Sequence, residues 1–362
     1  MVDQIAIPCV LMRGGTSKGP YFRRTDMPAD PAARDRLLLA VMGSPDIRQI
    51  DGIGGADTLT SKVAIVGPSC REGVDVDYMF AQVAVDRALV DTNPSCGNML
   101  SGVGPFAIET GMVRAGDGET RVVIYDENTG SRIEAVVQTA GGRVVYGGDA
   151  RIDGVPGAAA PVQLNFMDIV GSKTGNLLPT GKLIETIDGV EVTLIDVAVP
   201  MMIFRAADLG KTGYESAAEL DADKQFFARM EAMRLEAGRR MGLGDVTGKV
   251  IPKTAMIAAP AKDGTVSARY FVPHKAHAAF AVTGGLCVAS CTMLAGSVSD
   301  SVAVRPEGDR CTVEIEHPSG SLEIALMLNT SGPLLNIVRG GILRSARKLM
   351  AGEVFVPATV LG

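Results

Sequence analysis

The sequence predicts a two-domain α/β protein whose strand-rich halves each enclose one helix of small residues. Three observations carry this reading. The chain has 362 residues, more than one ordinary core accommodates, so two domains are expected. Short apolar runs with strand-like alternation recur along both halves, separated by glycine turns. Two stretches, 93–111 and 274–298, instead join a polar, glycine-bearing entry to a helix of small and apolar residues. Their similarity suggests a weak internal duplication.

Taken in order, residues 5–23 read as a strand, a glycine turn and a second strand. The turn Arg13-Gly14-Gly15-Thr16-Ser17-Lys18-Gly19 gathers two cations, two hydroxyls and three glycines. Exposed N–H groups and a bidentate arginine suit an anion; an ordinary hairpin turn with solvated charges fits the same residues. The spacing is not that of a Walker A loop. Residues 31–43 form an amphipathic helix, with Pro31 in its first turn and Gly43 just past its last. A polar glycine loop at 51–57 leads through Thr60-Ser61-Lys62 into the apolar run Val63 to Val66. Lys62 is thereby placed for partial desolvation, which favours the neutral amine; a lysine snorkelling to the surface is the alternative. Residues 75–90 alternate as one strand.

Cys96 opens the helix expected over 97–111. Gly97, Ser101, Gly102 and Gly104 leave one side nearly bare, while Met99, Leu100, Val103, Phe106 and Ile108 supply bulk. Each glycine costs about 1 kcal/mol of helix propensity relative to alanine, so close packing or a bare backbone near a ligand must offset it. Asn98 or Ser95 is expected to cap the start, leaving free N–H groups and the positive dipole end beside the thiol. Such a setting attracts carboxylates and favours a thiolate; a buried, inert cysteine fits equally. Strand-like runs follow to residue 166, and a glycine-rich join at 171–182 marks the domain boundary. The domains are set at 1–178 and 179–362, with a return of the last strand to the first domain left open. In the second half, strands are expected within 190–204, 249–260 and 265–273, and a long charged surface helix over 221–241. A second central helix is expected over 284–296, where Thr283-Gly284-Gly285-Leu286 echoes Cys96-Gly97-Asn98-Met99. The tail reads as a hairpin, a further strand and a closing strand.

A net charge of −6, no tryptophan and 4% aromatics argue against a nucleic-acid partner. The start of the sequence shows no signal peptide, and no apolar run is long enough for a membrane span. Six scattered cysteines without a C-x-x-C pair suit reduced thiols, so a cytoplasmic location is expected. Three histidines (274, 277 and 317) make a histidine-rich metal site unexpected. His274 and His277 flank the second helix entry, where a substrate acid or a plain loop role fits. No G-x-S-x-G nucleophile elbow occurs, and no strand-borne G-x-G-x-x-G either, so no nucleotide cofactor is expected. What remains is a thiol, a strand-entry lysine and anion-friendly turns. These suit cofactor-free proton transfer at a carbon beside carboxylates.

Several runs together are specific. They are M-R-G-G-T-S-K-G (12–19), G-S-P-D-x-R-Q-I-D-G-I-G-G-A-D (43–57), L-T-S-K-V-A (59–64) and C-G-N-x-x-x-G-V-G-P-F-A-I-E (96–109). With them go E-N-T-G (127–130), I-D-G-V-P-G (152–157), L-L-P-T-G (177–181), L-G-D-V (243–246) and the tail R-x-A-R-K-L-M-x-G. The chain resembles the PrpF-type isomerases over nearly its whole length. The resemblance implies a diaminopimelate-epimerase-like fold, two similar domains each a strand barrel around a central helix, with the active site between them. It implies a 1,3-allylic proton shift on a small unsaturated tricarboxylate, without cofactor or metal. The first expected substrate is 4-oxalomesaconate, from gallate and protocatechuate breakdown; 2-methylaconitate or aconitate is the alternative, and a silent polycarboxylate binder the rival of another class. Lys62 and Cys96 fall on the family's catalytic positions. Expected substrate-binding residues are Arg13, Gly15, Thr16, Ser17, Lys18 and Ser61, then Gly97, Asn98 and Thr180, and then Arg269, His274, Gly284 and Gly285. Partners are limited to the small-molecule substrate, with a homodimer left open. Two loops depart from the close tautomerases: Pro94-Ser95 stands before Cys96 where they carry Asn, and 173–182 replaces their S-C-G-A-L-L-P-T-G-N. Gly284-Gly285 stands where two-thiol epimerases have a second cysteine, which disfavours racemase chemistry.

Overall fold

Strands Gln4–Gly14 (β1) and Ser17–Arg23 (β2) pair antiparallel down to Gly14 opposite Ser17. The link is a two-residue turn, Gly15-Thr16, in which Gly15 takes φ 51°, a conformation natural to glycine. The computed structural model describes residues 3–272, 275–329 and 336–360. Helix Pro31–Met42 (α1) has Pro31 in its first turn and left-handed Gly43 just past its last, as the sequence predicts, and it starts on an Asp30 side chain that accepts from the Ala33 N–H. Its Leu37, Leu38, Val41 and Met42 pack on Phe22, Val63, Ile65, Ala81 and Val83. Those residues come from β2, from Lys62–Pro68 (β3) and from Val76–Val83 (β4). The strand expected over 75–90 therefore stops at Val83, and a separate two-residue strand, Val90–Asp91 (β5), follows a loop.

The helix expected over 97–111 is two pieces, Gly97–Leu100 (α2) and Val103–Glu109 (α3). The break has a cause. Tyr21 reaches from β2 to donate its hydroxyl to the Met99 carbonyl at 2.5 Å. Ser101 and Gly102 then bond three residues back, to Asn98 and Met99, and tighten the turn. Gly102 is required, since an added Cβ would stand 2.3 Å from the Tyr21 hydroxyl. Gly104 likewise leaves room for Val137 and Ala135. These belong to the hairpin of Gly118–Asp126 (β6) and Ser131–Ala140 (β7), with Arg143–Val144 (β8) and Pro161–Met167 (β9) beyond. The expectation that the glycines make packing room is met at both positions.

The chain divides into two units, Met1–Asn165 with Leu343–Gly362, and Phe166–Ile342. The second runs through Glu185–Ile187 (β10), Val190–Val197 (β11) and Val199–Arg205 (β12). The long helix expected over 221–241 is Ala217–Ala222 (α4) and Lys224–Arg240 (α5), split where the Asp223 side chain caps the second. Its position is not purely superficial: Phe226, Met230, Met233 and Ala237 enter the core. Lys253–Ala258 (β13) and Val266–Phe271 (β14) follow. The central helix is Val282–Met293 (α6) rather than 284–296, with ten buried residues from Gly284 to Met293. Arg310–His317 (β15) and Gly320–Asn329 (β16) form the expected hairpin. The two last strands expected are one, Asn336–Pro357 (β17). It begins against β16, and from Leu343 it belongs to the first unit, where it pairs with β1 from Ala346 to Pro357. Both units are mixed α/β with a buried helix under strands, the diaminopimelate-epimerase-like class. Among the described residues no helix is long and apolar enough to cross a membrane.

Candidate active site

Lys62 begins β3 directly opposite Gln82 of β4. Cross-strand partners share a sheet face, and alternation adds Phe80 and Tyr78 to it. Lys62 is 9% exposed. Its Nζ donates to Gln82 Oε1 at 2.5 Å and lies 5.2 Å from the centre of the Phe80 ring. The Gln82 amide is oriented by its other end, which donates to the carbonyls of Ser61 at 2.9 Å and Thr58 at 3.1 Å. Among the described residues no carboxylate pairs with Lys62; its partners are a neutral oxygen and an aromatic face.

Further along that face, the Tyr78 hydroxyl donates to the Cys96 carbonyl at 3.4 Å. Cys96 is half-buried and is itself the residue before α2, with no side-chain cap. Neither expected cap is made. Ser95 donates to Asp126 Oδ2 at 2.5 Å, and Asn98 Nδ2 donates to Thr16 Oγ1 at 2.9 Å. A helix of one turn has little macrodipole, so the local donors are the N–H groups of Gly97 and Asn98, which bond to none of the described residues. Asp126 is buried, which pushes its carboxyl up, while Ser95, Thr129 and Asn128 draw it back. Burial also holds the phenols of Tyr21 and Tyr78 well above their ordinary range.

The β1–β2 turn lies on the same helix start. A Cβ at Gly14 would stand 2.4 Å from the Asn98 carbonyl, and one at Gly15 2.2 Å from Asn98 Oδ1. Gly19 passes over Lys62, whose carbonyl would be 1.8 Å from an added Cβ, with Met99 Cε at 3.2 Å. The turn thus touches both the lysine strand and α2. The buried Ser17 hydroxyl has no partner among the described residues. Lys18 donates its N–H to the Leu59 carbonyl. Arg13 directs Nη1 to the carbonyls of Gly15 at 2.8 Å and Ser345 at 3.1 Å, binding the turn to β17. Burial lowers its guanidinium pKa, and Arg347, opposite it on β17, lowers it further. Ser61 is fully buried and turned inward, accepting from Gln49 Nε2 at 2.7 Å and donating to the Val83 carbonyl at 2.9 Å.

Five expected residues fall in the second unit, four of them among the described residues. Gly284 and Gly285 are inside α6, against Tyr270 and against Leu322 and Ile324, and the Gly285 N–H already bonds Ala281. Arg269 is 6% exposed and points Nε at the Glu215 carbonyl, 2.7 Å away. Thr180 Oγ1 accepts from the Lys182 N–H at 3.4 Å. His274 lies outside the described residues. His277, with Nδ1 accepting from Ala279 at 3.0 Å, closes its own loop.

The pattern described as PrpF protein matches residues 4–357. The chain belongs to the PrpF family. It is 54% identical over 349 residues to the (4E)-oxalomesaconate Delta-isomerase of Novosphingobium sp. (strain KA1), covering 96% of this chain and 97% of that one. It is 51% identical over 356 residues to the 4-oxalomesaconate tautomerase of Pseudomonas putida, covering 98% and 97%. A crystal structure of methylitaconate-delta-isomerase superposes with a TM-score of 0.88 at 36% identity, covering 100% of this chain and 98% of that chain. This PrpF protein is therefore an isomerase. Gln82, Asp126, Tyr78 and Tyr21 went unread as site residues in its sequence. Only strand register and long-range hydrogen bonds bring them to Lys62 and Cys96.

Proposed function

We propose that this PrpF protein moves a proton across an allyl system in a small unsaturated tricarboxylate, with 4-oxalomesaconate as substrate and no cofactor. The observation that supports it most is that one face of β4 both holds Lys62 by neutral partners, Gln82 and Phe80, and reaches the Cys96 carbonyl through Tyr78. Lys62 Nζ takes a proton from the carbon flanking the double bond. The C–H electrons enter an extended enolate conjugated with the carbonyl group. The proton returns at the far end from the Lys62 ammonium or the Cys96 thiol, so one C–H bond breaks, one forms and the double bond moves by one position; where the thiol donates, the Lys62 ammonium gives its proton back to the Cys96 thiolate through solvent. Gln82 Oε1 and the Phe80 face stabilise the ammonium while it carries the proton. The free N–H groups of Gly97 and Asn98, with the Thr16-Ser17 turn, receive carboxylate oxygens. The names of the half-identical relatives support the substrate. A cytoplasmic setting, where Cys96 stays reduced, is part of the same proposal.

In D2O the enzyme should wash deuterium into the allylic position of 4-oxalomesaconate. Lys62→Ala should slow this by about 10²- to 10⁴-fold, the usual contribution of a general base. Exchange at the wild-type rate in that variant defeats the assignment. Assays of 4-oxalomesaconate, 2-methylaconitate and aconitate side by side decide the substrate, by the highest kcat/KM.

A further inference from the structure

Arg344 stands on β17 beside Ser345, whose carbonyl accepts from the Gly15 N–H at 2.8 Å, Arg13 Nη1 at 3.1 Å and Ser101 Oγ at 3.4 Å. This part of β17 is therefore fixed against the β1–β2 turn and the end of α2. Two residues on, Ala346 pairs with Gly14, whose side-chain position lies on the Asn98 carbonyl. Alternation along the strand puts Arg344 on that same face, toward the helix start that bears Cys96.

The guanidinium is half-buried, and burial lowers its pKa; the influence opposing that shift is Cys96. Of its five N–H donors, one bond is made among the described residues, from Nη1 to the Leu343 carbonyl at 2.8 Å. Among the described residues no carboxylate pairs with it. A cation withdrawn from water without a counter-ion is unfavourable, so the anion is to come from outside the chain. Ser17 Oγ, on the face of β2 that turns to α2, is 1% exposed and equally without a partner among the described residues. A planar cationic fork turned toward the helix start that bears Cys96 matches the geometry of a carboxylate, and the Ser17 hydroxyl, on the β2 face toward α2, is a further donor.

We infer that Arg344 grips, as a bidentate pair, the substrate carboxylate nearest Cys96, with Ser17 as a further donor. It thereby selects which carbon of the allyl system faces the thiol. The identity of the anion rests on the isomerase reading above; the place of Arg344 beside Cys96 does not.

Two measurements on the full-length protein test this. The first is the rate of Cys96 alkylation by anionic iodoacetate relative to neutral iodoacetamide, followed by mass spectrometry of the Cys96 peptide. Arg344→Gln should lower that ratio about fivefold, as loss of a neighbouring cation requires, while Arg344→Lys keeps most of it. An unchanged ratio in a folded Arg344→Gln protein overturns the inference whatever the reaction. The second is steady-state turnover of the tricarboxylate. KM should rise about 10- to 100-fold in Arg344→Gln, the loss of a charge-assisted pair, with a smaller change in kcat. Arg344→Lys should be intermediate, because its point charge lacks the fork. A KM within twofold of wild type in both variants overturns the carboxylate role. A wild-type protein inert toward every acid, yet showing the alkylation shift, upholds the anion grip and removes the isomerase reading instead.

Discussion

At Lys62 the decisive partner is an amide, not a carboxylate. Gln82 presents its oxygen because its nitrogen is committed to the Ser61 and Thr58 carbonyls. Replacing it with leucine leaves a nearly buried ammonium without that acceptor. Gln82→Leu should lower stability by about 1.5–3 kcal/mol, the worth of a hydrogen bond to a charged group, and reduce turnover; a urea titration and kcat report both. The cysteines differ in the same local way. Burial pushes Cys287 up and Cys291 to about 11, and also raises Cys9 and Cys311. Cys287 in addition donates to the carbonyls of Val197 and Val199. Iodoacetamide should therefore label native protein at exposed Cys70 and half-buried Cys96, and a bound tricarboxylate should shield Cys96 alone; protection of Cys70 as well would contradict this. Lys62 and Cys96 stood out in the sequence as a cation entering an apolar strand and a thiol before glycines, but each had an inert alternative, and their expected roles came from the resemblance to the PrpF-type isomerases. Gln82 did not stand out, since nothing local distinguishes it from any polar strand residue.

Elements show the same division between what is local and what comes from far along the chain. α1 is written in its own residues, from Asp30 and Pro31 to Gly43. The break between α2 and α3 is not, because the Tyr21 hydroxyl that captures the Met99 carbonyl is 78 residues away. Tyr21→Phe should cost about 1 kcal/mol, a typical net hydrogen bond, and should partly relieve Gly102→Ala, which clashes with that hydroxyl. A double-mutant cycle measures the coupling. The loop after β6 braces the entry to α2: Asp126 accepts from Ser95, and Asn128 donates to the carbonyls of Phe80 and Thr92. Asp126 sits above its ordinary value of 3.8 through burial. Between the unfolded and folded pKa the folded protein holds more protons, so this group stabilises as pH falls through that window. Melting curves should show wild type gaining on Asp126→Asn as pH is lowered from neutrality toward 4; the opposite slope refutes the assignment.

For the whole molecule, chain length and recurring strands foretold two strand-rich units, each with a buried small-residue helix. Strand order was beyond the sequence, because pairing partners such as β1 and β17 stand more than three hundred positions apart. The glycines of the two central helices illustrate the limit. Gly102 and Gly284 both accommodate a tyrosine, Tyr21 and Tyr270. Yet Cys96 and its polar neighbours belong to one unit, while α6 is buried from Gly284 onward in the other. Removal of residues 343–362 strips β1 of its partner over eleven residue pairs. An unpaired edge of that length promotes association, so the shortened chain should scatter light and sediment as aggregate, whereas a soluble, well-melting product would show that β1 manages alone.

The late strand also has a consequence for the order of manufacture. Domains generally fold as they leave the ribosome, the N-terminal one first. Here Lys62 and Cys96 are synthesised early, yet the strand that completes their unit, and carries Arg344, follows the entire second unit. The half of the molecule begun first is the half finished last. A growing chain is thus without the completed unit around Lys62 and Cys96 until its second unit has been made, and that second unit can be complete before the first.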